Sequence, residues 1–249
     1  MKIYGLIGFP LTHSFSKQYF YEKFKNELLT DCTYENFEIS TIDQLKKVIQ
    51  NNPHLAGINI TIPFKESVMD ILDSIDERAT LIGAVNTVRI IKENDTTHLK
   101  GYNTDCIGFD KSITPLLKSY HDKALVLGTG GSSKAVAFVL RHKGIDVKMV
   151  SRNAAGHALS YDELSPEIME AYKIIINCTP VGMFPAVSAF PEIPYHLLGE
   201  RHLLFDLIYN PDETVFLKNG KIKNATVKNG YEMLCLQAEA SWQIWNTMD

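Results

Sequence analysis

Short apolar segments alternate with helical patterns over the first third of the chain. Thr41 and Gln44 have the spacing of a capping box for a helix that runs to about Gln50. Alternation of this kind predicts a mostly parallel sheet covered by helices. The predicted strands of this sheet are residues 2–7, 33–38, 56–62 and 84–91.

The remainder of the chain predicts a second β/α sheet. The polar segment KENDTTH after Ile91 predicts a hairpin, and a helix over residues 104–118 leads into the second unit. A helix over 132–143 follows a glycine turn, and an amphipathic helix over 229–245 begins with Asn229 and Glu232 at capping-box spacing. The predicted strands here are residues 123–127, 146–150, 173–177 and 202–206.

The stretch GINITIPFK, residues 57–65, combines a strand pattern with a polar edge. Its isoleucines alternate with Asn59 and Thr61, and Pro63 and Lys65 follow. These polar residues fit the exposed face of an edge strand. In a buried strand they instead need partners, because an unsatisfied buried polar group costs about 1 to 3 kcal/mol. A ligand in a cleft is one such partner.

A glycine-rich turn, GTGGSSKA, lies between a predicted strand and helix at residues 128–135. Such a turn is either structural or lets backbone amides approach a pyrophosphate at the helix N-terminus. The next strand ends with Ser151 and Arg152, where an NAD site usually has an acidic residue. Arg152 is either a solvated surface arginine or a bidentate partner of a 2′-phosphate. The second reading favours NADP over NAD.

Several other polar residues lie near the ends of predicted elements. Ser14 and Ser16 follow the first strand and either cap the next helix or hold an anionic group of a substrate. Asn86 is an isolated polar residue, and Asp105 on its own fits the first turn of a helix, which the helix dipole favours.

Composition narrows the class of ligand. The 249 residues favour two domains. A net charge of −4 with dispersed basic residues gives no electrostatic footprint for nucleic acid, so small molecules are the expected ligands.

The four cysteines form no C-x-x-C pair, which argues against zinc or a disulfide framework, and no metal is expected. No apolar run reaches about 18 residues, and the N-terminal segment is interpreted as a strand rather than a signal peptide, so a cytoplasmic protein is expected.

Eight motifs, taken in this order, resemble the shikimate dehydrogenase family. They cover nearly the whole chain, from residue 13 to residue 237. The motifs are His13-Ser-x-Ser16, Asn59-x-Thr-x-Pro-x-Lys65, Gly83-Ala-Val-Asn-Thr87, Gly101-x-Asn-Thr-Asp105, Gly128-x-Gly-Gly131, Asn177-Cys-Thr-Pro-Val-Gly-Met183, Asp206-x-x-Tyr209 and Asn229-Gly-x-x-Met-Leu-x-x-Gln237.

The resemblance implies an α/β protein whose two domains flank a cleft. Residues 1–104 would form the substrate-binding and catalytic domain, and residues 105–228 a Rossmann-type NADP-binding domain. The terminal helix, 229–249, would pack back on the first domain. The implied reaction is the NADP-linked interconversion of 3-dehydroshikimate and shikimate in aromatic amino-acid biosynthesis. A homodimer is compatible with this architecture.

The resemblance also implies roles for individual residues. Lys65 and Asp105 would be the catalytic pair. The carboxylate of the substrate would be held by Ser14, Ser16 and Tyr209, and its hydroxyls by Asn59, Thr61, Asn86 and Gln237. The cofactor would be bound by Gly128, Gly130, Gly131, Ser151, Arg152, Thr179, Leu207, Gly230 and Met233.

Some positions depart from the pattern of the family. Lys17 and Phe20 replace a proline and a histidine that the family often has, and neither changes the implied chemistry. Gly156 stands where a second basic residue often grips the 2′-phosphate, which weakens the expected preference for NADP. The segment 153–172 is short, so a covering helix is expected to be reduced or missing.

Three other functions compete with this interpretation. A quinate and shikimate dehydrogenase that uses NAD would carry an acidic residue at Ser151-Arg152. A catalytically silent NADP-binding module would have lost Lys65 or Asp105, and both are present. A folate-linked dehydrogenase of similar shape fits the serine pair and Gln237 poorly.

Overall fold

The computed structural model describes residues 1–11, 15–93, 96–153 and 158–247. The chain divides into two compact units, Met1–Thr104 with Gln237–Asp249, and Asp105–Leu236. The chain thus returns to the first unit at Gln237 rather than at residue 229. The roles of the two units as substrate and cofactor domains stay predictions. No helix within the described ranges is long and apolar enough to cross a membrane.

The first unit is built on a six-stranded mixed sheet. Its strand order is β2-β1-β3-β5-β6-β4. The three strands β2, β1 and β3 are parallel, whereas β5 runs antiparallel to both β3 and β6. The expected mostly parallel arrangement therefore holds for one half of the sheet, and a hairpin forms the other. The strands are β1 Lys2–Gly8, β2 Cys32–Glu38, β3 Leu55–Ile60, β4 Ser74–Ile75, β5 Thr87–Glu93 and β6 Thr96–Tyr102.

Among the described residues of this unit, three α-helices accompany the sheet: α1 Phe15–Asn26, α2 Gln44–Asn51 and α3 Glu77–Ile82, with a 3₁₀ helix at Ser67–Ile71. The capping box predicted at Thr41 is wrong. The helix begins at Gln44, and Asp43 at its N-cap makes no side-chain capping bond. The side chain of Gln44 instead accepts from the backbone N–H of Ser40 at 3.0 Å.

The last helix, α8 Tyr231–Asn246, packs its C-terminal half on the first unit. The indole Nε1 of Trp245 donates to the backbone carbonyl of Val88 at 3.1 Å. Gly57 makes room for this indole, because a Cβ at position 57 would overlap it. Tyr4 stacks on Trp245 with ring centroids 5.0 Å apart. The packing of Trp245 against β1 and β3 thus holds in place the half of α8 on which Gln237 lies.

The second unit is built on a five-stranded parallel sheet of order β11-β10-β9-β7-β8. Its strands are β7 Lys123–Leu127, β8 Asp146–Val150, β9 Ile174–Asn177, β10 Leu203–Asp206 and β11 Thr226–Lys228. From β7 the chain adds β8 on one side of the sheet and then β9 on the other, so the direction of the strand order reverses at β7. In open α/β sheets ligands bind at the carboxyl ends of the strands where such a reversal occurs.

Besides the start of α8, the part of this unit outside residues 154–157 contains four α-helices: α4 Asp105–Ile113, α5 Gly131–His142, α6 Pro166–Ala171 and α7 Val215–Ile222. The short segment after β8 behaves as predicted. It holds a single-residue parallel bridge between Val150 and Leu159, a 3₁₀ turn at Tyr161–Glu163 and the six-residue α6. The covering helix is therefore reduced.

Candidate active site

A buried polar cluster in the first unit gathers three of the predicted substrate residues. The cluster comprises Asn59, Asn86, Thr87, Thr104, Gln237 and Ser241, each at most 8% exposed. Asn59 lies near the carboxyl end of β3, and Asn86 directly precedes β5. Gln237 and Ser241 lie one turn apart on α8. The hydroxyl of Ser241 accepts a hydrogen bond from Nδ2 of Asn59 at 2.9 Å and lies 2.8 Å from Oγ1 of Thr87.

The amide of Asn59 has only one orientation that satisfies its neighbours. Its Nδ2 lies 3.3 Å from the backbone carbonyl of Asn86, which can only accept a hydrogen bond. Its Oδ1 therefore faces the hydroxyl of Tyr34 at 2.9 Å, and the tyrosine donates. The hydroxyl of Tyr34 also bonds with Ser16, and burial raises the pKa of this phenol. Tyr34 thus links Ser16 to Asn59.

The amide of Asn86 is oriented by the segment before α4. Its Oδ1 accepts from the backbone N–H of Thr104 at 2.6 Å, a group that can only donate. Its Nδ2 donates to Oε1 of Gln237 at 3.4 Å. The two amides predicted to bind hydroxyls are therefore held in defined orientations by neighbours on β2 and α8, just before β5 and just before α4.

Thr61 and Lys65 follow β3, and both are half-buried. The backbone N–H of Thr61 donates to Ile7 of β1 at 2.8 Å. The backbone carbonyl of Lys65 accepts from Val85 at 2.7 Å, which places Lys65 beside the segment that carries Asn86. Ser14 lies outside the described residues. The structure thus brings Ser16, Asn59, Asn86 and Gln237 into one network and places Lys65 next to it along the backbone.

Asp105 and Tyr209 belong to the second unit. Asp105 is the buried first residue of α4, and Tyr209 is a half-buried residue that follows β10. Asp105 therefore has the helix position that its sequence context predicts. The roles of both residues stay predictions.

The glycine turn lies at the point where the second sheet reverses its strand order. Gly128 follows β7 with a φ of +102°, a conformation that glycine adopts readily. A Cβ at Gly128 would lie 3.0 Å from Cγ2 of Thr179, whereas a Cβ at Gly130 would meet nothing within 4 Å. Gly130 is the N-cap of the twelve-residue helix α5, and Gly131 is its first residue. One side of the turn is thus packed against Thr179, and the other side is open for a phosphate at the helix N-terminus.

The remaining predicted cofactor residues lie along the same edge of this sheet. Ser151 and the exposed Arg152 follow β8, the strand beside β7. Leu207 follows β10, and its backbone is in close contact with Gly230, where a Cβ would overlap the carbonyl oxygen of Leu207. Met233 is buried on the first turn of α8. The residues that the resemblance assigns to a dinucleotide therefore lie after β7, β8, β9 and β10, with Gly230 after β11 and Met233 on α8.

Sequence reasoning gave no role to Tyr34, Thr87, Thr104 or Ser241. Thr87 and Thr104 stand inside the motifs Gly83-Ala-Val-Asn-Thr87 and Gly101-x-Asn-Thr-Asp105, which is a signal that could have found them. Tyr34 lies in a predicted strand and Ser241 in a predicted amphipathic helix. Neither has a local sequence feature that separates it from an ordinary strand or helix residue.

No group of three or more histidine, cysteine or acidic side chains within the described ranges could hold a metal ion. The four cysteines are free thiols.

The fold and these sites define an α/β protein with a Rossmann-type dinucleotide-binding sheet. A family model described as the shikimate dehydrogenase substrate binding domain matches residues 6–88. The curated shikimate dehydrogenase (NADP(+)) of Clostridium beijerinckii is 40% identical over 98% of this chain and 92% of its own length. That of Methanococcus vannielii is 37% identical over 97% and 90% of the two chains.

A solved structure gives the same result in three dimensions. The shikimate 5-dehydrogenase of Thermus thermophilus, in complex with NADP(H) and shikimate, matches with a TM-score of 0.86 and 29% identity. The match covers 100% of this chain and 94% of that one. The chain belongs to the shikimate dehydrogenase family.

Proposed function

We propose that this protein is an NADP-linked oxidoreductase that reduces 3-dehydroshikimate to shikimate, reversibly, in the biosynthesis of chorismate and aromatic amino acids. The observation that carries the proposal is the oriented cluster of amides around Asn59 and Asn86, in a chain whose second unit has a glycine turn followed by Arg152. The relatives that match the full chain, named NADP-dependent shikimate dehydrogenases, support the choice of substrate and cofactor.

The orientation of the amides supports recognition of a polyhydroxylated ring. Oδ1 of Asn59 already accepts from Tyr34 and retains a second lone pair, so Asn59 is suited to accept from a hydroxyl of the substrate. Thr61, Asn86 and Gln237 would complete the recognition of hydroxyls. A site whose buried polar groups are satisfied by a hydroxyl rejects analogues without it, because those groups would be left unpaired.

Hydroxyl groups would hold the carboxylate of the substrate. Ser14, Ser16 and Tyr209 are the assigned donors. Ser16 is already bonded to Tyr34, so its hydroxyl proton would turn from the phenol to the carboxylate when the substrate binds. A charge-assisted bond of this kind is roughly twice as strong as a neutral one.

Lys65 would be the general acid of the reduction. An ammonium group stabilises negative charge that develops on the ketone oxygen, and then donates its proton to that oxygen. In the oxidation of shikimate the neutral amine would remove the proton from the same hydroxyl. Asp105 would orient Lys65 and the hydroxyl of the substrate.

The residues of the second unit fit a phosphorylated dinucleotide. The glycine turn opens at Gly130 toward the N-terminus of α5, and Ser151 and Arg152 extend from the adjacent strand. Gly128, Gly131, Thr179, Leu207, Gly230 and Met233 would line the rest of the site. The nicotinamide ring, when bound, supplies or accepts the hydride.

The direct test is a reaction with 3-dehydroshikimate and NADPH, followed by the loss of absorbance at 340 nm and by mass spectrometry of the product. We expect one molecule of shikimate for each NADPH consumed. Parallel reactions would pair shikimate or quinate with NADP or NAD. Activity with quinate and NAD alone would support the rival quinate dehydrogenase, and the absence of any turnover would support a silent binding module.

A further inference from the structure

Two fully buried polar side chains end neighbouring strands of the second unit and have no role so far. Asn177 ends β9 and Asp206 ends β10, and both are 0% exposed. They are paired in register, and Nδ2 of Asn177 donates to Oδ1 of Asp206 at 3.0 Å. Both residues occur in motifs singled out in the sequence, Asn177-Cys-Thr-Pro and Asp206-x-x-Tyr209.

The amide of Asn177 is oriented by its partners on both sides. Its Nδ2 faces the carboxylate of Asp206 and, at 3.4 Å, the backbone carbonyl of Val181, and the latter can only accept. Its Oδ1 accepts from the backbone N–H of Thr179 at 3.1 Å and from the hydroxyl of Thr179 at 2.6 Å. An amide at position 177 thus has a donor and an acceptor where each is needed.

The carboxylate of Asp206 is held by three donors in all. Besides Asn177, it accepts from the backbone N–H of Ile208 at 3.1 Å and from the hydroxyl of Thr214 at 2.6 Å. Thr214 is itself the N-cap of α7 and accepts from Leu217. Asp206 therefore connects the loop after β10 and the start of α7 to the loop after β9.

The far end of this chain of bonds reaches the glycine turn. Thr179, bonded twice to Asn177, is the side chain that a Cβ at Gly128 would approach to 3.0 Å. The hydroxyl of Thr179 also accepts from the backbone N–H of Val181 at 3.3 Å. The position of Thr179 against the turn is thus determined by an amide that is in turn fixed by a carboxylate.

We propose that Asn177 and Asp206 are positioning residues of the dinucleotide site, which hold Thr179 against Gly128 and so set the shape of the crevice that receives the cofactor. This inference rests on the proposed NADP-binding function. Neither residue touches the cofactor in this proposal. Both act through the loop after β9.

Two isosteric substitutions on the two sides of the same hydrogen bond separate this role from a general need for polarity. Asn177→Asp places a carboxylate oxygen against Asp206 and against the carbonyl of Val181, so two acceptors face an acceptor. Asp206→Asn can keep Oδ1 toward Asn177 and Ile208 and turn its Nδ2 to Oγ1 of Thr214, which can accept. The hydroxyl proton of Thr214 then loses its acceptor at position 206, but the bonds to Asn177 and Ile208 are kept. The proposal therefore predicts that the first substitution disturbs the loop after β9 more than the second.

The experiment measures the Kd of NADPH by fluorescence titration of the full-length variants, together with the KM for shikimate and the free energy of unfolding. Asn177→Ser is a second disrupting variant, since it removes the amide and its four hydrogen bonds without burying a new charge. Tyr172→Phe is the matched control. This substitution removes a hydrogen bond to Asp146 at 3.0 Å, which lies at the amino-terminal end of the strands, opposite to Asn177 and Asp206.

We expect the Kd of NADPH to rise about tenfold or more in Asn177→Asp and Asn177→Ser, as the loss of about 1.4 kcal/mol would produce. It should rise less in Asp206→Asn than in Asn177→Asp and stay within about twofold of wild type in Tyr172→Phe, and the KM for shikimate should change little in all four. A folded Asn177→Asp or Asn177→Ser protein with the Kd of wild type would overturn the inference. Failure of the wild-type protein to bind NADPH would instead refute the proposed function.

Discussion

The hydroxyl of Tyr34 donates to Oδ1 of Asn59 at 2.9 Å, and this bond supports the orientation that the carbonyl of Asn86 imposes on the amide. The ring of Tyr34 stacks on Phe20 with centroids 4.5 Å apart, which fixes the direction of the phenol. A buried tyrosine on β2 thus satisfies one lone pair of the amide oxygen of a residue on β3.

Tyr34→Phe tests this relationship, because it removes the hydroxyl and keeps the ring. We expect the KM for shikimate to rise about 3- to 10-fold, which corresponds to the loss of one hydrogen bond, with an unchanged Kd for NADPH. Tyr4→Phe is the matched control, since Tyr4 bonds to Asn246 at 3.4 Å within the same unit and contacts no predicted site residue through its hydroxyl. Equal KM values for wild type and Tyr34→Phe would show that Asn59 needs no help from Tyr34.

The close approach of Gly230 to Leu207 makes a second prediction. In Gly230→Ala the new Cβ would overlap the carbonyl oxygen of Leu207, and a backbone atom cannot rotate away. We expect a loss of about 1 to 3 kcal/mol in the free energy of unfolding, together with weaker NADPH binding. Gly199→Ala is the control, since a Cβ there would meet nothing within 4 Å. Urea denaturation checks both variants, and equal stability of Gly230→Ala and wild type would contradict the packing.

The sequence predicted most of the strands because their apolar runs are flanked by clear breaks. The residues of β7 and β8 coincide with the predicted segments, whereas β3 ends at Ile60, since its pairing with β1 and β5 is complete there. Three strands, β4, β6 and β11, are absent from the prediction. The two-residue β4 and three-residue β11 are too short to have a periodicity, and β6 begins inside the polar segment that was interpreted as a hairpin. The antiparallel pairing of β3 with β5 depends on long-range contacts, which local patterns do not encode.

The candidate site, like the fold, could be predicted from the sequence only in part. Asn59, Asn86 and Gln237 stand in recognisable motifs, and the structure joins them in one network. Tyr34 and Ser241 complete that network through tertiary contacts, and nothing next to them in the sequence marks them. The orientation of an amide depends on which neighbours can only donate or only accept, and only coordinates give this information.

Arg152 predicts the preference between the two cofactors. Because a 2′-phosphate is the one group that distinguishes NADP from NAD, Arg152→Gln should raise the Kd of NADP about 10- to 100-fold, as expected for a charged hydrogen bond, and leave that of NAD unchanged. Arg141→Gln, an exposed arginine in the last turn of α5, is the control. Titrations with both nucleotides provide the measurement. A parallel weakening of NADP and NAD would place Arg152 away from the 2′-phosphate.

The burial of Asp206 predicts a pH dependence of stability. Burial raises the pKa of this carboxyl to about 6 from an ordinary value of 3.8. Between these two values the folded protein binds more protons than the unfolded chain, so this group adds stability as the pH falls and removes it as the pH rises through 6. The Asp206→Asn protein lacks this contribution.

Relative to Asp206→Asn, the unfolding free energy of wild type should therefore increase by roughly 1 to 2 kcal/mol between pH 7.5 and pH 5. Urea denaturation of both proteins at the two pH values gives the difference, which cancels the titration of all other groups. An opposite sign would mean that hydrogen bonds from Asn177, Ile208 and Thr214 lower the pKa more than burial raises it.

The central claim is that the ammonium of Lys65 is the acid that protonates the reacting oxygen. Lys65→Met keeps most of the apolar stem and removes the charge, and Lys100→Met, at a half-buried lysine on β6, is the control. The decisive measurement is kcat for shikimate oxidation in both variants, with the Kd of NADPH determined on the same samples. We predict that kcat falls by about 10² to 10⁴ in Lys65→Met alone while the Kd of NADPH is unchanged. A Lys65→Met protein with near-normal kcat would contradict the claim.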